Sequence, residues 1–154
     1  MKQNAMNHTG NTLKLSFQQK STGLSLIVVV GATIYYFANM WPMRPIALAN
    51  DAIPTGYGNL VLSTLTLIVV TQIVLQAVLA IGAGSTSVAT THQKAAAYKA
   101  SRNAYAVLTL GIFIAIGSVF LEELTPFCTA NLAILGFLAA EIVKFASQLF
   151  YTRR

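Results

Sequence analysis

Charge is what this chain has least of. Its 154 residues include ten Lys and Arg and four Asp and Glu, 9% of the total, where an ordinary soluble domain carries about 25%. So small a complement cannot cover a water-facing surface and excludes a soluble fold. Cysteine occurs once, at Cys128, which excludes an intramolecular disulfide, a CxxC redox pair and a four-cysteine zinc site. Histidine occurs only at His8 and His92, both in polar stretches, so no paired imidazoles inside an apolar run can ligate haem or a metal. A GxSxG elbow, a Walker loop, an HExxH pair, an acidic metal cluster and a spaced Ser/His/Asp set are all missing. These absences point to a non-enzymatic protein without cofactor or metal.

What is there instead is apolar sequence, 55% hydrophobic overall. No charge falls between Lys20 and Arg44, Asp51 and Lys94, Arg102 and Glu122, or Glu123 and Glu141. About 20 mainly apolar residues cross about 30 Å of hydrocarbon, and the last window extends past Glu141 and Lys144 through Leu149 and Phe150. The pattern predicts an all-α integral membrane four-helix bundle, with spans near 22–41, 59–82, 103–122 and 126–150 and a polar tail over 1–21. Trp41-Pro42 reads as the end of the first span, leaving residues 42–58 as a loop. Asn59 reads as an N-cap for the second, with Gly82 and Gly84 at its exit. Thr125-Pro126 reads as N-cap and first helical residue of the fourth span. The turn before it is then tight, and spans three and four are antiparallel neighbours.

Basic residues set the orientation, because cytoplasmic loops retain them. Lys2, Lys14, Lys20, Lys94, Lys99, Arg102, Lys144, Arg153 and Arg154 fall on one side and only Arg44 on the other, with Asp51, Glu122 and Glu123. The expectation is N-in and C-in, multi-pass, in the bacterial inner membrane, and the imbalance argues against dual topology. The first apolar stretch exceeds the 7 to 15 residues typical of a signal-peptide core, so it reads as a retained span despite Ala47-Leu48-Ala49. Net charge of +6 follows from this topology and does not indicate nucleic-acid binding. A shift of 72 lays Asn59-Leu60 on Asn131-Leu132 and Gln76 on Gln148, and a shift of 80 lays Gly31 on Gly111. These matches suggest two tandem helical hairpins, or the chance alignment of apolar helices.

Polar residues inside the spans are the candidates for function. Glu141, Lys144 and Gln148 stand at i, i+3 and i+7 on one helix face, with Glu141 about 13 Å from the inner helix end at 1.5 Å per residue. An ionisable residue at that depth must face protein or water, as a proton or cation site or as an ion pair that pins the helix. The second span carries Ser63, Thr64, Thr66, Thr71, Gln72 and Gln76, and the two glutamines share a face at the depth of Glu141. Interhelical hydrogen bonds or a hydrated path would use them. Gly111 with Ala115 and Gly136 with Ala140 form small-xxx-small faces suited to close packing. Tyr35, Tyr36, Phe37 and Trp41 read as an outer aromatic belt, and Tyr98, Tyr105, Phe150 and Tyr151 as an inner one. Cys128 reads as a small apolar residue near the outer surface, or as an intermolecular disulfide partner.

The alanine-rich stretch from His92 to Arg102 has strong helix propensity and predicts a cytoplasmic extension of the third span, its bases near anionic lipid. From about residue 90 onward, Ser101-Arg102-Asn103-Ala104-Tyr105, Ala130-Asn131-Leu132 and Ala140-Glu141-Ile142-Val143-Lys144 through Gln148-Leu149 and Tyr151 to Arg153-Arg154 resemble a group of uncharacterised bacterial four-helix inner-membrane proteins. In that group an Arg-Asn-Ala-Tyr element opens the third helix and an Ala-Glu-x-x-Lys element with a tyrosine-arginine end closes the fourth. The resemblance implies that Arg102, Asn103, Glu141, Lys144 and Gln148 belong to a shared pattern, and that a small helix-turn-helix regulator is a partner. Here Thr90-Thr91-His92-Gln93 stands where similar proteins carry an acidic-arginine cluster. The expected function is protein contact, as an accessory subunit or a regulator's membrane partner, through Lys99, Arg102, Asn103, Arg153 and Arg154. The alternative is a small oligomeric transporter or channel using Glu141.

Overall fold

A computed structural model of the chain describes residues 17–82, 91–121 and 124–153. Residues 1–16 of the polar tail, Gly84, Glu122, Glu123 and Arg154 lie outside the described residues, as do the side chains of His92 and Arg153. The described residues form helices α1 (Phe17–Met40), α2 (Arg44–Asn50), α3 (Tyr57–Gly82), α4 (Thr91–Ser118) and α5 (Pro126–Arg153), with a 3-10 turn at Trp41–Met43 and no strand. Among the described residues, four segments are long and apolar enough to cross a membrane: Gln19–Asn50, Tyr57–Val78, Lys94–Ser118 and Pro126–Thr152.

The first span does not stop at Trp41-Pro42. Pro42 occupies the start of the 3-10 turn and Pro45 the start of α2, the positions where a missing N–H costs a helix least. The chain therefore stays helical to Asn50, and the expected loop over 42–58 shortens to 51–56. Asp51, in the left-handed region at φ 47°, ends α2 by donating its N–H to the Ala47 carbonyl. Gly56, at φ 89°, supplies the turn that starts α3 at Tyr57. Asn59 thus lies inside the first turn of α3 and is not its N-cap. The helical extension and the third span form one helix, α4, which ends at Ser118, where Val119, Phe120 and Leu121 make successive i→i−3 bonds. Thr125 caps α5, its Oγ1 accepting the Cys128 N–H at 3.3 Å.

Packing runs α4 on α5, α5 on α1 and α1 on α3, with no comparable packing between α3 and α4. On α1 the buried residues Thr22, Ser25, Val29, Ala32, Tyr36 and Met40 recur every three or four positions, a seam like that of a coiled coil. The closest approach is between α4 and α5, where a Cβ placed on Gly111 would lie 2.6 Å from Gly136 Cα. Ala115 and Ala140 are buried as well. Asn103 Nδ2 donates to the Tyr151 hydroxyl at 3.0 Å near one end of this pair, and Ser118 and Thr129 hydroxyls meet at 2.9 Å near the other. Gln19 Nε2 donates to the Thr152 carbonyl at 3.1 Å, so the start of α1 and the end of α5 share one end of the bundle. The hairpins α1–α3 and α4–α5 follow one another, yet they are not packed alike. A Cβ placed on Gly31 would meet nothing within 4 Å, whereas Gly111 touches a backbone.

Candidate functional site

The polar residues of the second and fourth spans come together. Gln72 and Gln76 of α3 and Glu141 and Lys144 of α5 line one cleft of about 370 Å³, with Ile68 and Phe137 among its apolar walls. α3 and α5 meet at the end holding Tyr57 and Phe127, whose rings cross edge to face at 5.0 Å. Further along, the two helices pack less closely than α1 does with either, and the cleft lies between them.

Lys144 Nζ donates to both carboxylate oxygens of Glu141 at 3.2 Å and stands 4.9 Å from the centre of the Phe145 ring. Glu141 is 19% exposed and Lys144 35%. The i, i+3 spacing lets one helix hold this pair without help, so the wall it forms is polar but neutral as a unit. Glu141 stands about 18 Å from the Arg153 end of α5 at 1.5 Å per residue, deeper than the sequence suggests because α5 continues to Arg153. Gln72 Nε2 is buried and has no hydrogen-bond partner, a state that costs free energy unless another group accepts the bond. Gln76 is exposed. Gln148 is not among the lining residues and follows Lys144 on the same face, one turn on. Ser63 and Thr64 both donate to the Leu60 carbonyl of their own helix, so they make none of the expected interhelical bonds.

A second polar cluster was not legible in the sequence. Tyr57 donates to the Tyr36 hydroxyl at 2.8 Å, Tyr36 to Asn131 Oδ1 at 2.5 Å, and Asn131 Nδ2 to the Phe127 carbonyl at 2.8 Å. This relay joins α1, α3 and α5, and its three residues are 0%, 3% and 8% exposed for Tyr36, Tyr57 and Asn131. Tyr36 is therefore a core residue and not part of an outer belt, while Tyr35 and Trp41 are exposed. Of the inner residues, Tyr151 is half-buried and accepts a bond from Asn103, whereas Tyr98, Tyr105 and Phe150 are exposed. The only available signal was the asparagine inside an apolar run at 131, which needs a partner.

At the end holding Gln19 and Thr152, Lys99 and Arg102 are exposed and Asn103 is engaged with Tyr151. Arg153 and Arg154 lie outside the described side chains. Cys128 is half-buried, with the Thr125 hydroxyl 3.4 Å from its sulfur. No group of three or more His, Cys, Asp or Glu gathers among the described residues. The fold and cleft define an all-α chain of four membrane-length helices with a polar recess between two of them. No protein-family model, curated protein or solved structure matches it.

Proposed function

We propose that the chain is a small, non-enzymatic protein of a bacterial inner membrane that holds a partner protein through its helices, as an accessory subunit or as the membrane partner of a regulator. The observation that carries this reading is the cleft between α3 and α5 that gathers Gln72, Gln76, Glu141 and Lys144, with Gln76 exposed. Exposed polar groups inside an apolar span are satisfied by polar side chains on another transmembrane helix. The exposed Lys99 and Arg102 supply contacts for the same partner outside the hydrocarbon. The test is purification of the tagged full chain from its own host in mild detergent, with Gln72→Leu in parallel. A stoichiometric foreign protein that is retained by the parent chain and lost from Gln72→Leu supports the reading. A homo-oligomer without any foreign chain overturns it.

The position of Glu141 favours one other reading, a small oligomeric transporter or channel, because an ionisable group far from both helix ends is the expected mark of an ion path. In sealed vesicles Glu141→Gln then abolishes proton-coupled flux without changing elution volume. If vesicles of the parent chain carry no flux, this second reading falls.

A further inference from the structure

At the opposite end from the exposed bases of α4, the first span carries a strip of two depressions that share Trp41. One, of about 510 Å³, is lined by Thr33, Ile34, Phe37, Ala38, Trp41 and Pro42 and is almost wholly apolar. Its single hydroxyl, on Thr33, is turned onto the Val29 carbonyl of the same helix at 2.8 Å. The other, of about 280 Å³, is lined by Trp41, Arg44, Pro45 and Leu48. Arg44 is exposed, its guanidinium carbon lies 5.5 Å from the centre of the Trp41 ring, and it has no carboxylate partner among the described residues, where the only ion pair is Glu141 with Lys144. Every other base in the sequence belongs to the opposite side by the topology read from it; of the three acids on the side of Arg44, Asp51 makes no ion pair with it and Glu122 and Glu123 lie outside the described residues.

From Thr33 to Arg44 the helical rise comes to about 17 Å, at 1.5 Å per α-helical and 2.0 Å per 3-10 residue. One leaflet of hydrocarbon is about 15 Å deep. The strip thus reads, in order, as an apolar trough over most of a leaflet's depth, an indole at the interface, and, at the phosphate level, a guanidinium with no ion pair among the described residues, whose fork suits two phosphate oxygens. The Pro42 and Pro45 positions matter here, because by keeping the chain helical past Trp41 they carry Arg44 one turn beyond the trough on the same strip.

We propose that this strip is a binding site for one anionic phospholipid of the leaflet at that end, its acyl chain in the Thr33–Trp41 trough and its phosphate on Arg44. The site is independent of the α3–α5 cleft and stands whether or not that cleft holds a partner. Charge complementarity at Arg44 selects the occupant: a zwitterionic lipid can fill the trough but gains less from the guanidinium.

Trp41 is the only tryptophan in the chain, so its fluorescence reports on this strip alone. The full chain is reconstituted into phosphatidylcholine vesicles in which acyl-brominated phosphatidylglycerol, or in a parallel series acyl-brominated phosphatidylcholine, replaces the host lipid stepwise. The expected result is half-quenching at a mole fraction about fivefold lower for the anionic lipid, the factor that one base near an anionic headgroup supplies. Arg44→Gln brings the two curves together, whereas Lys94→Gln, at the other end of the bundle, leaves them apart. Arg44 is exposed, so its replacement does not threaten the fold. Coincident curves for the parent chain, the behaviour of ordinary annular lipid, overturn the proposal, as does a preference that survives Arg44→Gln.

Discussion

Residues within this chain differ most in how far each polar group is committed to another. In the Tyr57–Tyr36–Asn131 relay the middle hydroxyl both accepts and donates, so its removal breaks two bonds and removal of Tyr57's breaks one. Tyr57→Phe should cost about 0.6 kcal/mol, the usual worth of a hydrogen bond between membrane helices, and Tyr36→Phe about twice that, read as lost thermal stability in detergent. Equal costs would mean that the relay does not run through Tyr36. The ion pair calls for a cycle of variants instead. Glu141→Gln or Lys144→Gln alone strands a charge in the cleft wall and should cost about 1–3 kcal/mol, reduced from the fully buried case because Lys144 is partly exposed. The double substitution leaves no charge stranded and should cost less than either single one. A double variant as unstable as the sum of the two would show that the pair is held by something other than mutual neutralisation. The sequence made Glu141, Lys144, Gln72 and Gln76 legible because polar atoms inside apolar runs stand out against their neighbours. Tyr36 and Tyr57 stayed hidden because tyrosine is equally at home at a membrane interface, and nothing local distinguishes a buried hydroxyl from a wet one.

Among the helices, α4 and α5 are bound together differently from α1 and α3. Small residues let the α4 and α5 backbones touch at Gly111 and Gly136, while the α1–α3 contact is made by larger side chains such as Val29, Leu60 and Ile68. Gly111→Ala puts a methyl group within 3 Å of the Gly136 backbone, and the atom it meets is no flexible side chain that can swing away. The helices must separate, at a cost of about 1–3 kcal/mol for such overpacking. Gly31→Ala, whose position is open, should be neutral or slightly stabilising, although the faint internal repeat aligns the two glycines. Melting of the two variants side by side checks both statements. The existence of the four long helices was legible from charge-free windows alone, because a bilayer admits few other structures for such sequence. The helical turn past Pro42 was not, since a proline ends one helix or begins another and the residues around 42–45 allow both. Nor was the buried face of α3 legible, because lipid and protein interior are equally apolar and the usual amphipathic contrast disappears.

For the molecule as a whole, the packing order leaves α3 held mainly by α1, with the cleft on the side of α5. It also puts the start of α1 and the end of α5 at one end of the bundle through Gln19 and Thr152. An even number of crossings requires this arrangement, and the distribution of bases then decides which end is cytoplasmic. Lys99 and Arg102 lie on the same α4 extension whose residue Tyr98 is exposed, while Leu48 is exposed on α2 beside Arg44. Replacing Cys128 with Ala removes the one native thiol, after which Tyr98→Cys and Leu48→Cys each give a single reporter at one end. A membrane-impermeant maleimide added to intact cells should label Leu48→Cys and spare Tyr98→Cys until the membrane is opened. The reverse pattern would place the basic end outside, and both the protein contacts proposed for Lys99 and Arg102 and the assignment of Arg44 to the outer leaflet would exchange sides. Labelling of both reporters in intact cells would show insertion in two orientations, which nine bases against one makes energetically unfavourable at about 1 kcal/mol for each base near an anionic leaflet.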